Sequence, residues 1–204
     1  MRRGVELLLR DAGLRVVGVA GTVTEARGVL ERRRYDVVLL DVQLGAESSL
    51  ELVEELLRGN PQAPIVLYTG LTGRDATLGQ AARAGARGFV LKSSPPAELI
   101  GALRAVATGG THVDPALAGV LSAGGEPRQF AALSPRERQI LSLLADGLTG
   151  QTIAEQLFLS PETVRTHVRS AMSKLGAATR AQLVAIVLAD EHAMDLAAAH
   201  ADPA

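Results

Sequence analysis

The 204-residue sequence contains no cysteine, and it has no long uninterrupted apolar run. The absence of cysteine excludes disulfides, thiol catalysis and cysteine-ligated zinc. No segment reaches the about 18 apolar residues of a membrane-spanning helix. The start, Met1–Gly4, leads into an amphipathic pattern rather than a secretory hydrophobic region. We therefore expect a soluble cytoplasmic protein that does not act in a membrane.

Residues 160–176 have the pattern of a capped helix with one polar face. Ser160 is a favoured N-cap, Pro161 suits the first helical position, and Gly176 is suited to ending the helix. At about 100° per residue, the face opposite the apolar side chains carries Glu162, Arg165, Thr166, Arg169 and Ser173. The arginines and hydroxyl groups of this face are suited to lying on DNA.

Two shorter helices are predicted before this one. Residues 134–145 repeat the Ser-Pro start, and residues 152–157 reach the next cap through a turn of only Phe158 and Leu159. A helix, a short turn and a second capped helix form the helix-turn-helix pattern. Within the first of these helices, Glu137 is expected to be an ion-pair partner inside the domain rather than a functional acid.

Five sequence blocks follow one another through this region. They are Leu133-Ser-Pro-Arg-Glu-Arg-Gln-Ile-Leu, Gly147-Leu-Thr, Ile153-Ala-Glu-Gln-Leu, Ser160-Pro-Glu-Thr-Val-Arg-Thr-His-Val and Lys174-Leu-Gly-Ala-Ala-Thr-Arg. In this order they resemble the all-α, four-helix DNA-binding domain of LuxR/NarL-type regulators. The resemblance covers about residues 130–189 and implies that the partner is double-stranded promoter DNA.

The resemblance assigns DNA contacts to two groups of side chains. It implies that Arg165, Thr166 and Arg169 face base edges in the major groove. Arginine reaches guanine with two hydrogen bonds, and threonine offers a hydroxyl or a methyl group. Lys174 and Arg180 are placed to contact the DNA backbone, which positions the domain without reading sequence. The alternative for each cation is an ordinary solvated helix surface.

Charge is too low for strong DNA binding by a single copy. The whole chain has a net charge of −1, and residues 133–189 carry only +2. Affinity for DNA rises with the number of phosphates that a protein neutralises. A homodimer doubles those contacts and binds paired half-sites, so it is the expected form.

Residues 14–109 alternate between predicted strands and helices. The predicted strands are Leu14–Ala20, Asp36–Asp41, Pro64–Thr69 and Gly88–Lys92, and the helices between and after them are Thr22–Arg34, Leu50–Arg58, Arg74–Ala84 and Ala97–Ala107. This alternation, with continuous apolar strands, predicts a parallel sheet covered on both faces. Sites in such sheets lie at the carboxyl ends of strands. Asp41, Thr69 and Lys92 occupy three of those ends.

An Asp, a Thr and a Lys at successive strand ends, with Phe89 three residues before the Lys, resemble the flavodoxin-like receiver domain of two-component response regulators. The resemblance implies that Asp41 is the phosphoacceptor of a sensor histidine kinase. Thr69 would bind the incoming phosphoryl oxygen, Lys92 would pair with Asp41, and Phe89 would change rotamer with Thr69. An aspartyl phosphate needs such a nucleophile with fixed cationic and hydroxyl donors. The alternative for Asp41 is a simple loop cap.

One part of the receiver pattern is missing. A receiver normally opens with an apolar strand ending in paired acids that hold Mg²⁺, whereas residues 1–13 already match its first helix. Asp41 is then the remaining candidate Mg²⁺ ligand, and we expect metal binding to be compromised. Leu14–Ala20 would face a gap beside Asp36–Asp41. The explanations are a start site further upstream, a sheet rebuilt by a shifted strand or a second subunit, or a degenerate receiver that no longer uses phosphate.

Composition divides the chain into four parts. These are a receiver-like domain at 1–109, a flexible linker at 110–130, a helix-turn-helix domain at 131–190 and a frayed tail at 191–204. The linker is rich in Gly and Pro, with one short helix predicted at 116–122. Residues 181–188 are unusually apolar for a last helix. Part of that helix must pack on its own domain, and the remainder is a candidate dimer seam.

The leading functional hypothesis is a DNA-binding transcriptional response regulator that is not an enzyme. Its receiver-like domain would control dimerisation or exposure of the helix-turn-helix, with phosphorylation of Asp41 as the candidate trigger. The alternative is a phosphate-independent regulator or interaction protein whose degenerate receiver binds a partner or a small ligand. An enzyme with Asp41 as nucleophile is disfavoured, because the sequence offers no second acid, no motif-supported His base and no Gly-rich phosphate loop.

Overall fold

A computed structural model describes residues 2–45, 47–70, 76–122 and 132–200, with the backbone alone at residues 2, 76 and 191–200. The helices are α1 (Arg2–Asp11), α2 (Val23–Arg32), α3 (Leu50–Gly59), α4 (Ala76–Ala84), α5 (Pro96–Ala107), α6 (Ala118–Ser122), α7 (Pro135–Ala145), α8 (Gly150–Gln156), α9 (Pro161–Leu175) and α10 (Arg180–His200). The strands are β1 (Val38–Asp41), β2 (Gln43–Leu44), β3 (Glu47–Ser48), β4 (Ile65–Thr69), β5 (Gly88–Leu91) and β6 (His112–Val113). A 3₁₀ turn at Pro115–Leu117 precedes α6.

The first domain is built on a parallel sheet with the order β1-β4-β5-β6. Its register aligns Leu40 with Leu67 and Leu67 with Phe89, while Phe89 aligns with Val113. One face of the sheet packs with α3 and α4, and buried Val66 and Val90 on the other face pack against α5. The strands are continuously apolar because both of their faces are covered. The α/β receiver-like fold is confirmed.

The prediction of a strand at Leu14–Ala20 is wrong. Residues 14–20 follow α1 without forming a strand, and within the described ranges no strand pairs with the outer edge of β1. A strand requires a neighbour that satisfies its backbone N–H and C=O groups. The segment has the apolar composition of a strand but not that neighbour, and Val19 is 51% exposed.

The segment predicted as a flexible linker is ordered in its first part. β6 extends the sheet beside β5, and the 3₁₀ turn and α6 bury Leu117 and Leu121. The short helix predicted at 116–122 is therefore confirmed, but residues 112–122 belong to the body of the protein. The later part of the predicted linker, from 123 to 130, lies outside the described residues.

The second domain begins its helices at the predicted caps. Ser134 forms a capping box with Glu137, while Thr149 caps α8 and Ser160 caps α9. Gly176 ends α9 with φ of 64°, the left-handed conformation that glycine adopts most readily. Because Thr149 is the cap, α8 starts at Gly150, two residues before its predicted start.

The last helix is longer than predicted. The tail expected to fray from residue 191 continues α10 as far as His200, and residues 201–204 lie outside the described part. Alanine is the strongest helix former, which accounts for the extension through the alanine-rich segment. α10 packs on α7 and α9 of its own domain and on α6 and β6 of the first. No helix among the described residues combines the length and apolar character needed to cross a membrane.

Candidate functional site: a receiver centre and a DNA-facing helix

The carboxyl edge of the sheet brings Asp41 and Lys92 together. The Lys92 ammonium contacts Asp41 Oδ2, and Asp41 Oδ1 accepts a hydrogen bond from the Gln43 N–H at 3.1 Å. Thr69 is buried at the end of β4, where its carbonyl accepts from the Lys92 N–H at 2.7 Å. The parallel sheet thus places all three predicted residues at one edge, because its strands end there.

Phe89 lies in the core rather than at the edge. It is fully buried on β5 and aligned with Leu67. Tyr68 lies beside the Asp41–Lys92 pair, with its ring centroid 5.9 Å from the Lys92 ammonium. Burial, with a smaller effect from the Asp41 charge, raises the pKa of Tyr68. The rotamer change assigned to Phe89 stays a prediction.

Within the described ranges, Asp41 does not belong to a cluster of three or more potential metal ligands. Mg²⁺ requires near-octahedral oxygen ligands. Both Asp41 oxygens already have partners, one of which is the positive Lys92 ammonium.

A buried carboxylate at the same edge was not predicted from the sequence. Asp114 is 6% exposed and lies between the end of β5 and the 3₁₀ turn. The signal was present, because an Asp directly before Pro115 is a typical helix start. The Gly- and Pro-rich composition around it indicated a linker instead.

The predicted base-contacting residues lie together on an open face of α9. Arg165, Thr166 and Arg169 are exposed, whereas Val164 on the opposite face is buried. Arg165 forms an exposed ion pair with Glu162 at 2.6 Å. The Thr166 hydroxyl donates to the Glu162 carbonyl at 3.0 Å. An exposed pair of this kind contributes little stability, so Arg165 is readily available to another anion.

Lys174 is held inside its own domain. Its ammonium lies 2.9 and 2.7 Å from the two oxygens of Glu137, which also accept hydrogen bonds from the Ser170 hydroxyl and the Ser134 N–H. Burial alone would raise the pKa of Glu137, but the bonds from Lys174, Ser170 and Ser134 lower it to about 2. The predicted structural role of Glu137 is confirmed, and its partner is Lys174.

Arg180 lies where the two domains meet. Its guanidinium donates to the Leu148 carbonyl at 3.1 Å, and burial followed by the charge of Arg87 lowers its pKa to about 10. Beside it, the Thr179 hydroxyl donates to the Ala82 carbonyl of α4 at 2.8 Å. The start of α10 is thereby attached to the first domain.

A receiver-like centre joined to a helix-turn-helix defines a two-domain regulator, and comparisons with known proteins agree. Residues 1–104 match the response regulator receiver domain, and residues 131–187 match the luxR family of bacterial regulatory proteins. The chain belongs to the LuxR/NarL family of response regulators and is a DNA-binding transcriptional regulator. Both resemblances predicted from the sequence are confirmed.

Several relatives match nearly the whole chain. The DNA-binding transcriptional activator DevR/DosR of Mycobacterium tuberculosis is 38% identical over 188 residues, covering 89% of this chain and 86% of that protein. The transcriptional regulatory protein UhpA of Escherichia coli is 38% identical, covering 87% of each chain. Among solved structures, RcsB of Salmonella typhimurium has a TM-score of 0.54 at 25% identity and covers 91% of this chain and 92% of its own. The relatives named here are regulators, not enzymes.

Proposed function

We propose that this regulator binds promoter DNA as a homodimer through α9, and that its receiver domain controls dimerisation by covering α10. One observation carries the proposal. The polar face of α9 is exposed, whereas residues 183–187 of α10 are buried between the two domains. Of the two modes of control that the sequence left open, this arrangement favours control of dimerisation over exposure of the reading helix.

The apolar character of α10 supports a second partner for this helix. Leu183, Val184 and Ile186 are almost completely buried, and α10 packs on its own domain and on the receiver domain. A helix that is apolar on most sides requires cover on most sides. Separation from the receiver would expose part of it, and a second copy of α10 would restore the cover. One solved RcsB structure, 25% identical with a TM-score of 0.54, contains two RcsB dimers bound to two parallel DNAs.

The proposed base contacts are made by Arg165, Thr166 and Arg169. Lys174 mainly fixes α9 to α7, and its 35% exposed side chain leaves room for a DNA backbone contact as well. A backbone contact by Arg180 requires the domain junction to open, because its guanidinium is engaged there. Since chromosomal DNA is the target, the proposed location is cytoplasmic.

The proposed trigger is a change of charge at Asp41, with a sensor histidine kinase as the phosphate donor. A phosphoryl group there would add negative charge beside Lys92 and draw that side chain toward it. The second candidate is regulation without phosphate, through a partner or small ligand. It is favoured by one specific observation, namely that no cluster of three or more potential metal ligands surrounds Asp41 in the described part of the chain.

A salt-dependent gel shift on the gene's own promoter tests DNA reading. We expect Arg165→Ala and Arg169→Ala each to reduce specific affinity by about 1–3 kcal/mol, the value of a bidentate base contact. Arg58→Ala is the matched control, because Arg58 is an exposed arginine on α3, far along the chain from α9. Absence of specific binding by the wild-type protein would refute the proposal that it reads promoter DNA through α9.

Phosphate control has its own test. Wild type and Asp41→Asn are incubated with acetyl phosphate and Mg²⁺, and the dimer fraction and acid-labile label are measured. An increase in both for wild type alone supports phosphorylation of Asp41. No label and an unchanged dimer fraction would support the phosphate-independent candidate instead.

A further inference from the structure

One carboxylate joins the Lys92 edge of the sheet to the segment that supports α10. Asp114 Oδ2 accepts hydrogen bonds from the Leu91 N–H, at 3.3 Å, and from the Ser94 hydroxyl. Its Oδ1 accepts from the Ala116 N–H at 3.1 Å. The two oxygens therefore bind two different parts of the fold.

The first part is the loop that carries Lys92. Leu91 precedes Lys92 directly and Ser94 follows it by two residues, so both Oδ2 donors flank the cation that pairs with Asp41. The Lys92 N–H is also fixed, by the Thr69 carbonyl at 2.7 Å. Displacement of Lys92 toward or away from Asp41 would therefore disturb the donors held by Asp114.

The second part is the start of the 3₁₀ turn and α6. The Asp114 N–H donates to the Phe89 carbonyl at 2.9 Å, and the Asp114 carbonyl accepts from the Leu117 N–H at 2.8 Å. Leu117 and Leu121 are buried, and α6 packs along α10. The position of the 3₁₀ turn and α6 thus determines the surface on which α10 lies.

A simple N-cap does not account for this geometry. A cap needs one side-chain oxygen directed at the first helical turn, and Asp114 Oδ1 meets that need with Ala116 alone. The second oxygen binds a strand end and a loop that lie about 20 residues earlier in the chain. Because the side chain is 6% exposed, these bonds form where solvent competes weakly.

We propose that Asp114 is a positioning residue that transmits the state of the Asp41–Lys92 pair to the surface under α10. The inference rests on the proposed control of α10 by the receiver domain. Loss of the ion pair loosens the Lys92 loop, the loop shifts its two donors, and the 3₁₀ turn and α6 follow through the shared carboxylate. Without Asp114 the two ends move independently.

A double-mutant cycle tests this coupling without any phosphate donor. Four full-length proteins are compared: wild type, Asp41→Asn, Asp114→Ser and the double variant. Serine is a favoured N-cap, so Asp114→Ser keeps the bond to Ala116 while its shorter side chain loses Leu91 and Ser94. The readout is amide hydrogen exchange over residues 181–190 of α10, measured by mass spectrometry.

In the wild-type background, Asp41→Asn is expected to speed exchange in α10 by about fivefold or more, the lower end of typical allosteric coupling. In the Asp114→Ser background, Asp41→Asn should leave the exchange rate of α10 nearly unchanged. Ser94→Ala, which leaves the cap intact, should reduce the Asp41→Asn effect in the same direction. Asp36→Ser alters an exposed aspartate of the same domain and should leave the effect unchanged.

Two outcomes would overturn the proposal. One is an equal effect of Asp41→Asn with and without Asp114, since the two sites would then be independent. The other is no effect of Asp41→Asn on α10 in the wild-type background, since there would be nothing to transmit. Failure of DNA reading is scored separately, by the gel shift with the Arg165 and Arg169 variants.

Discussion

Replacement of Glu137 by glutamine should destabilise the DNA-binding domain more than any exposed change in it. Glu137 is 3% exposed, and its carboxylate binds the Lys174 ammonium and the Ser170 hydroxyl as well as the Ser134 N–H. These bonds fix α9 to the start of α7. Glutamine keeps the shape of the side chain but removes the charge, and it leaves the Lys174 ammonium beside a neutral group.

The size of the effect follows from the pKa. The Glu137 pKa is lowered from 4.5 to about 2 in the folded protein. At 1.36 kcal/mol per pKa unit, the charged form contributes about 3 kcal/mol to the free energy of unfolding. Because the folded pKa is the lower one, this contribution is fully present above pH 4.5 and is lost as the pH falls toward 2.

Urea unfolding followed by far-ultraviolet circular dichroism measures this effect between pH 7 and pH 3. Wild type should lose stability below pH 4.5, whereas Glu137→Gln should start about 3 kcal/mol lower at pH 7 and lack that part of the loss. Glu155→Gln, a change at an exposed acid of the same domain, is the control. The reasoning is refuted if Glu137→Gln matches wild type at pH 7 or shows the same acid dependence.

Two further substitutions test the packing of each domain. Leu183 is fully buried in α10, so Leu183→Ala should lower the free energy of unfolding by about 2–5 kcal/mol. Leu7→Ala, at a position 62% exposed, is the comparison. Equal losses of stability for the two variants in a urea titration would contradict the assigned burial. A Cβ at Gly88 would lie 2.6 Å from Val66 Cγ2 and 3.0 Å from Val66 Cα. Gly88→Ala should therefore force β4 and β5 apart and lower the free energy of unfolding by about 1–3 kcal/mol. Gly59→Ala, where the added methyl group meets no close neighbour, is the comparison. The same thermal midpoint for both variants would disprove the close approach.

Local signals predicted most of the helices and the three longest strands, β1, β4 and β5. Ser134, Ser160 and Gly176 act through contacts within a few residues, so their sequence patterns identify the helix ends directly. Leu14–Ala20 shows the limit of such patterns. Its apolar residues suit a strand, but strand formation depends on a neighbour elsewhere in the fold.

The candidate site divides in the same way. The meeting of Asp41 with Lys92 followed from their positions at the ends of parallel strands. Lys174 was assigned to the DNA backbone because of the family resemblance. Its partner Glu137 lies 37 residues earlier and reaches it only through tertiary packing. Asp114 was not predicted for a related reason. Its hydrogen-bond donors lie at a strand end and in a loop far along the chain, whereas the residues next to it in sequence have the composition of a linker.

Gly110 offers a direct way to separate the two domains. A Cβ at this position would lie 2.6 Å from the Gly147 carbonyl oxygen of the second domain and 2.8 Å from the Ala105 carbonyl oxygen of α5. Gly110 does not have a positive φ, so its φ does not require glycine. The Ala105 contact lies within the first domain, however, so the end of α5 must also shift to admit a methyl group. The added methyl group cannot fit while the two domains remain in this contact.

Promoter affinity of Gly110→Ala, measured by gel shift beside wild type, tests most directly whether the receiver restrains α10. Release of α10 should favour the dimer and raise affinity by about fivefold or more. Gly101→Ala places a methyl group where no atom lies within 4 Å and should leave affinity unchanged. Equal or weaker DNA binding by a folded Gly110→Ala protein would contradict the account.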